Sequence, residues 1–76
     1  MREILGKEYK LNQIVCVGYL NNKGNYEILS GRIYDYDSQY IWLDHSYDFL
    51  QLEDTTRIKI DNIRYMKVAI IDNMWR

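Results

Sequence analysis

The sequence contains no proline and only one cysteine among its 76 residues. Without proline, nothing in the chain removes a donor from the hydrogen-bond ladder of a strand. Cys16 has no partner for an intrachain disulfide, which favours a reducing, cytoplasmic setting. The thiol lies in the apolar run 14–17, and this run predicts a small buried hydrophobe rather than a reactive group.

Long hydrophobic runs are also missing. No apolar stretch approaches the roughly 20 residues that cross a bilayer as a helix. The N-terminus lacks the hydrophobic core of a signal peptide. We therefore expect neither a membrane protein nor a secreted one.

Tyrosine, in contrast, is abundant, with eight residues in a chain that is 47% apolar. Tyrosine favours strands and supplies a rigid, amphipathic contact surface. The length predicts one domain, whose stability is modest unless subunits associate. The net charge of −1 excludes a strongly basic nucleic-acid binder.

Charges of opposite sign are segregated along the chain. Residues 33–56 contain no lysine or arginine, and the next stretch is mainly basic. This pattern fits charges that alternate with core positions on solvated strands, and it also fits a two-signed surface that associates head to tail. The acidic residues are Asp35, Asp37, Asp44, Asp48, Glu53 and Asp54, and the basic ones are Arg57, Lys59, Arg64 and Lys67, opposed by Asp61.

Alternating apolar and polar residues with turn signals between them predict an all-β domain of five short strands. Gly31 permits a sharp bend or a close backbone approach within the second strand. Such a bend predicts a five-stranded, strongly bent antiparallel small barrel, with residues 2–10 as a short arm or helical turn. We expect a loop or irregular extension at 47–55 and a tail at 72–76. The predicted strands are 13–20, 25–36, 40–46, 56–60 and 63–71.

Two stretches resemble the motifs of the Sm-like family of small SH3-like β-barrels. Gly31, Ile33, Tyr36 and Asp37 match the first motif, and residues 61–66 resemble the second. Over residues 13–68 the resemblance implies a homo-oligomer in which the fourth strand of one subunit pairs with the fifth strand of the next.

The chain departs from this family where the family recognises uridine. It has Ile41 where an asparagine is usual, and Lys59 followed by Ile60 where arginine and glycine are usual. The uridine-binding signature therefore does not carry over.

Catalytic and metal sites find little support in the sequence. Asp44, His45 and Ser46 include the residue types of a hydrolase triad, but neighbours on a strand point to opposite faces. A metal site around His45 and Asp48 lacks further histidine or cysteine ligands. We expect no enzymatic activity, no cofactor and no bound metal.

Two turns form the better candidate site, because the Sm-like fold would bring them together. Tyr40 would stack on a base, Gln39 and Asn62 would read a base edge, and Lys59 or Arg64 would meet a phosphate. The alternative is that Asp61 and Asn62 only satisfy turn geometry and Tyr40 only packs on its neighbours. The candidate residues are Asp37, Ser38, Gln39, Tyr40, Lys59, Asp61, Asn62 and Arg64.

Three functions remain open from the sequence. The first is a non-enzymatic Sm-like homo-oligomer that binds single-stranded RNA or a small or cyclic nucleotide near its subunit interfaces. The second is a small inhibitor or adaptor, of the phage or mobile-element type, whose acidic face binds a host protein. The third is a purely structural oligomerisation module.

Overall fold

The structure is a computed structural model that describes residues 2–45 and 55–69. Strands and turns make up this part of the chain, and its one helical element is a short 3-10 turn. The all-β prediction is therefore confirmed, while the predictions for 47–54 and 72–76 fall outside the described residues. The elements are β1 (Arg2–Ile4), β2 (Lys7–Tyr9), β3 (Ile14–Leu20), β4 (Tyr26–Tyr36), β5 (Tyr40–Asp44), β6 (Thr55–Lys59), the 3-10 helix (Ile60–Asn62) and β7 (Ile63–Val68).

Five strands form one antiparallel sheet in the order β6-β5-β4-β3-β7. The predicted five strands and antiparallel pairing of this sheet are confirmed, and two further strands form a separate hairpin. The predicted closure is not observed, because no pairing joins β6 to β7 within the described residues. The turn at Ile60–Asn62 carries the chain from one edge of the sheet to the other, so both strands that flank it remain edges.

The N-terminal residues form a β-hairpin, and the predicted arm or helical turn is wrong. β1 pairs with β2, from Arg2 opposite Tyr9 to Ile4 opposite Lys7. Leu5 and Gly6 connect the strands with φ angles of 53° and 81°. Positive φ at both central residues is the geometry of a two-residue hairpin turn that matches strand twist. The glycine that weakens a helix here makes a tight turn instead.

β4 is long because it pairs with two neighbouring strands and bends between the two pairings. It pairs with β3 from Tyr26 to Arg32 and with β5 from Arg32 to Tyr36. The register shifts between Ile33 and Asp35, which is the mark of a β-bulge. At Gly31, a Cβ atom would lie 3.0 Å from the carbonyl oxygen of Asp44. The predicted close backbone approach at this glycine is confirmed.

The core lies on one face of the bent sheet and is closed by the N-terminal hairpin. Along β6, Ile58 is buried between the exposed Arg57 and Lys59, as the alternation predicts. Among the residues described, no helix has the length and apolar character needed to cross a membrane. The buried apolar residues are Ile4, Tyr9, Val15, Val17, Tyr19, Ile33, Ile41, Leu43, Ile58, Ile63 and Met66.

Candidate functional site

The structure brings the two candidate turns together. Tyr40, at the start of β5, lies opposite Lys59, at the end of β6. Beyond this pair, the Ile60 N–H donates to the carbonyl oxygen of Gln39 at 2.8 Å. The β4–β5 turn and the 3-10 turn are thus fixed side by side by the backbone alone.

Asp37 organises the β4–β5 turn. Its Oδ1 accepts hydrogen bonds from the N–H groups of Gln39 and Tyr40, both at 2.8 Å. These bonds to the carboxylate, helped by Arg57 and Arg2, hold the pKa of Asp37 below its ordinary value of 3.8. Asp37 therefore has a structural role in the turn, and its Oδ1 is already engaged by the backbone.

The depressed pKa of Asp37 makes the turn sensitive to acid. A carboxyl group whose pKa is lower in the folded state stabilises the fold above its unfolded pKa, and this stabilisation is lost as the pH falls through the folded value. We expect Asp37→Asn to be less stable than the parent chain at pH 7, with the difference shrinking below 3.8. Urea unfolding of both chains from neutral pH to about pH 2 measures this convergence. A constant difference across that range would contradict it.

A cavity of about 230 Å³ lies along the open edge of β6. One wall is formed by the consecutive residues 56–59, and the opposite wall by residues 19–22, where β3 ends and the β3–β4 turn begins. Tyr40 and Asn62 complete the lining. Arg57 and Lys59 both line the cavity and no aspartate or glutamate among the described residues does, so the described part of the lining is positively charged.

Three of the candidate residues line this cavity, namely Tyr40, Lys59 and Asn62. The others have different positions among the described residues. Asp37 and Gln39 shape the β4–β5 turn, and the carbonyl oxygen of Ser38 accepts a hydrogen bond from Arg2 at 3.1 Å.

Asp61 and Arg64 form a local contact outside the cavity. The guanidinium Nη1 of Arg64 donates to the carbonyl oxygen of Asp61 at 2.8 Å. Neither side chain lines the cavity of its own chain. The alternative interpretation, in which Asp61 and Asn62 only satisfy turn geometry, stays a prediction.

Arg57 is the most important site residue that the sequence interpretation did not single out. Its guanidinium carbon lies 4.3 Å from the centroid of the Tyr40 ring, which places the cation on the face of that ring. The Trp42 ring lies next along β5, with its centroid 6.0 Å from that of Tyr40. The β5–β6 register explains why these side chains lie together, because Arg57 is opposite Trp42 just as Lys59 is opposite Tyr40.

The main chain of Arg57 also points toward the open edge. Because Ile60 donates to Gln39 across the β5–β6 pair, the alternation of antiparallel bonding turns the N–H and C=O groups of Ile58 toward β5 and those of Arg57 away from it. Arg57 therefore presents main-chain polar groups at the open edge along which the cavity lies.

The opposite wall contributes amide side chains and a tyrosine. Asn21 and Asn22 belong to the β3–β4 turn, in which the Asn21 Oδ1 accepts from the N–H groups of Lys23 and Asn25. The Tyr19 hydroxyl donates to Glu27 Oε1 at 2.9 Å. Burial, together with the hydrogen bond and charge of Glu27, raises the pKa of Tyr19 to about 12, so its hydroxyl keeps its proton near pH 7.

Asp44 does not belong to an acidic surface, contrary to its inclusion in the predicted acidic face. Its carboxylate is buried, and Oδ2 lies 3.0 Å from Nη2 of Arg32. Arg32 also donates to Asn12 Oδ1 at 2.8 Å. Asp44 pairs with Arg32 because the β4–β5 register places the two residues directly opposite each other.

His45, which the sequence analysis considers for a catalytic triad and for a metal site, contacts the neighbouring strand β6. Nε2 of His45 lies 2.9 Å from Oγ1 of Thr56 on the neighbouring strand. In residues 2–45 and 55–69, no group of three histidine, cysteine, aspartate or glutamate side chains is arranged to hold a metal ion. Ser46 lies outside the described residues.

Comparison of the chain with protein-family models, with curated proteins and with solved structures finds no match in any of the three.

Proposed function

We propose that this chain is a non-enzymatic, cytoplasmic homo-oligomer of the Sm-like type that binds a nucleotide-type ligand. The ligand is single-stranded RNA or a small or cyclic nucleotide, held at the cavity beside β6. The observation that carries the proposal is the lining of this cavity, in which Arg57 lies on the Tyr40 ring, Lys59 and Asn62 also take part, and no carboxylate occurs among the described lining residues.

Stacking supplies the first part of the recognition. Bases in single strands stack on aromatic rings and on the flat face of arginine. The pair formed by Tyr40 and Arg57 offers both kinds of surface at one position. Because stacking tolerates any base, this contact gives affinity rather than sequence preference.

Polar groups on the two walls of the cavity supply the second part of the ligand recognition. Lys59 is exposed at the rim and provides a cation for a phosphate. The amides of Asn62 and Asn22 carry both donors and acceptors for a base edge. A volume of about 230 Å³ is small beside the roughly 300–1,000 Å³ of drug-sized pockets, which favours one nucleotide unit per site.

The open sheet supports the assembly part of the proposal. Within the described residues, β6 pairs only with β5 and β7 only with β3, so neither pairs with a further strand on its outer side. Exposed edges invite pairing with another chain, and a head-to-tail contact between β6 and β7 of successive copies would cover both. The cavity lies on the β6 edge, so the ligand would be held beside the subunit interface.

Replacing Tyr40 tests the proposal directly. We expect Tyr40→Ala to weaken binding by about 1–3 kcal/mol, or roughly 5- to 150-fold, because one stacking surface is lost. Tyr40→Phe keeps the ring and should bind within about twofold of the parent chain. Calorimetric titration with AMP, cyclic AMP, ADP-ribose and hexauridylate measures the effect.

Binding of the four probes by the parent chain tests the nucleotide proposal itself. If the parent chain binds none of them at millimolar concentration, the nucleotide proposal is wrong. In that case the inhibitor or adaptor hypothesis gains weight, and its described acidic face is limited to residues such as the exposed Asp35 and Asp37.

A further inference from the structure

One aromatic side chain beside the cavity has no part in the proposed site. Trp42 follows Tyr40 by two positions on β5, and both side chains are half-buried. Ile41 and Leu43 alternate with them and are buried in the core. Successive side chains of a strand point to opposite faces, so Tyr40 and Trp42 share the face of the sheet that is turned away from the core. The aromatic surface therefore extends beyond the cavity, which Tyr40 lines and Trp42 does not.

The two rings are spaced for two separate bases. Their centroids are 6.0 Å apart, and their planes are inclined by 48°. Neighbouring bases along one strand of a duplex are only about 3.4 Å apart. The wider spacing fits bases that are splayed apart, and proteins recognise single-stranded RNA by stacking such bases on aromatic side chains. Tyr40 and Trp42 thus offer one stacking surface to each of two consecutive bases.

Each ring also has a cation across the strand pair. Lys59 is opposite Tyr40, and Arg57 is opposite Trp42. Both cationic side chains are exposed, and the Arg57 guanidinium carbon lies 4.3 Å from the centroid of the Tyr40 ring. Arg57 therefore borders both aromatic positions. A guanidinium in this place can bind the phosphate that joins two nucleotides through a pair of parallel hydrogen bonds.

An acidic residue lies on the other side of Trp42. Asp35 of β4 is opposite Trp42 in the β4–β5 pairing, and its side chain is exposed. Its carboxylate would repel a phosphate, whereas Arg57 on the β6 side would attract one. The charges of the two flanking strands therefore favour a nucleic-acid backbone that runs along β6, with its bases over β5.

We propose that the site continues from the cavity onto Trp42 and binds two consecutive nucleotides of single-stranded RNA. One base stacks on Tyr40, the next base stacks on Trp42, and Arg57 binds the phosphate that links them. This inference rests on the proposed nucleotide function. It narrows the ligand from any nucleotide to RNA of at least two nucleotides.

Removing the Trp42 ring tests the second base position and leaves the first one in place. We expect Trp42→Ala to weaken binding of the dinucleotide UpU by roughly 5- to 150-fold, the usual effect of losing one stacked base. Binding of UMP, which has a single base, should stay within about twofold of the parent chain. Trp42→Phe keeps a ring and should retain most of the UpU affinity. Calorimetric titration of each chain with both probes measures these effects.

Tyr65→Ala is the matched control. It removes an exposed aromatic ring from β7, a strand whose residues do not line the cavity. This variant should bind both UMP and UpU like the parent chain. Circular dichroism spectra verify that each variant is folded.

Tryptophan fluorescence reports the same stacking contact in a chain that keeps Trp42. The sequence has two tryptophans, so Trp75→Phe leaves Trp42 as the one tryptophan emitter. A base that stacks on an indole ring quenches its emission. UpU should therefore quench the Trp42 emission at saturation, and UMP should leave it nearly unchanged. Should Trp42→Ala fail to fold, this titration decides alone.

The outcomes separate this inference from the proposed function. If Trp42→Ala binds UpU as tightly as the parent chain, or loses UMP and UpU affinity equally, the second base position is wrong and nucleotide binding stands. Trp42 emission that UpU leaves unchanged has the same meaning. A parent chain that binds neither UMP nor UpU overturns both the inference and the proposed function.

Discussion

Asp44→Ala should lower the free energy of unfolding by about 3 kcal/mol or more, because it removes the buried carboxylate that pairs with the guanidinium of Arg32. The Asp44 side chain is 0% exposed and that of Arg32 is 22% exposed. A domain of this length has a total stability of about 4–11 kcal/mol, so the variant would be close to unfolding at 37 °C.

Matched variants separate the buried pair from a simple loss of charge. Glu8→Ala removes an exposed carboxylate from β2 and should change stability by no more than about 0.5 kcal/mol. A double variant with Arg32→Met and Asp44→Leu removes both charges and should regain part of the loss. Urea unfolding measures all four chains. If Asp44→Ala is as stable as Glu8→Ala, the ion pair does not have the importance we assign to it.

Tyr9→Ala is expected to have an effect of similar size, about 3–5 kcal/mol, since it empties a large buried volume. Tyr9 is 1% exposed, and its hydroxyl donates to the carbonyl oxygen of Met66 at 3.1 Å. This residue joins the N-terminal hairpin to β7, 57 positions away in sequence. The variant therefore tests whether the hairpin is part of the core.

Tyr9→Phe provides the comparison for this second prediction. It keeps the ring and removes only the hydrogen bond, so the expected loss is about 1–2 kcal/mol. Thermal unfolding of the two variants and the parent chain gives the ranking. If Tyr9→Ala unfolds at the same temperature as the parent chain, the hairpin does not contribute to the core.

Local patterns in the sequence account for most of the strands. An apolar run predicts β3, alternation predicts β6, and the turn residues between them limit β4 and β5. The sequence around Leu5 and Gly6 predicts a short arm or helical turn rather than a hairpin, and the glycine argues only against the helix. Positive φ at a leucine is uncommon, and no pattern in the sequence indicates it.

Pairings across the sheet were harder to foresee than the strands themselves. The pair formed by Arg32 and Asp44 depends on the register between β4 and β5, and a bulge near Tyr34 changes that register. An extra residue in a strand leaves no periodic signal that fixes its position. Asp44 was for this reason grouped with its acidic sequence neighbours rather than with its spatial partner.

The two turns of the candidate site can be predicted from the sequence, but the contacts between its strands cannot. The two turns were identified from local turn chemistry, and a backbone bond between Ile60 and Gln39 brings them together. The position of Arg57 on the ring of Tyr40 follows from the β5–β6 register, which the sequence alone does not give. The wall formed by Asn21 and Asn22 depends on how the bent sheet brings the β3–β4 turn toward β6.

Amide chemical-shift mapping by NMR tests the central claim most directly. Titrating the ¹⁵N-labelled chain with AMP and UMP should shift the backbone signals around the cavity, at Arg57, Lys59 and Asn62 and at the facing Asn22. The amides of the distant turn at Leu5 and Gly6 should keep their positions. Shifts confined to that hairpin, or spectra that nucleotide leaves unchanged, would show that the edge of β6 is not a nucleotide site.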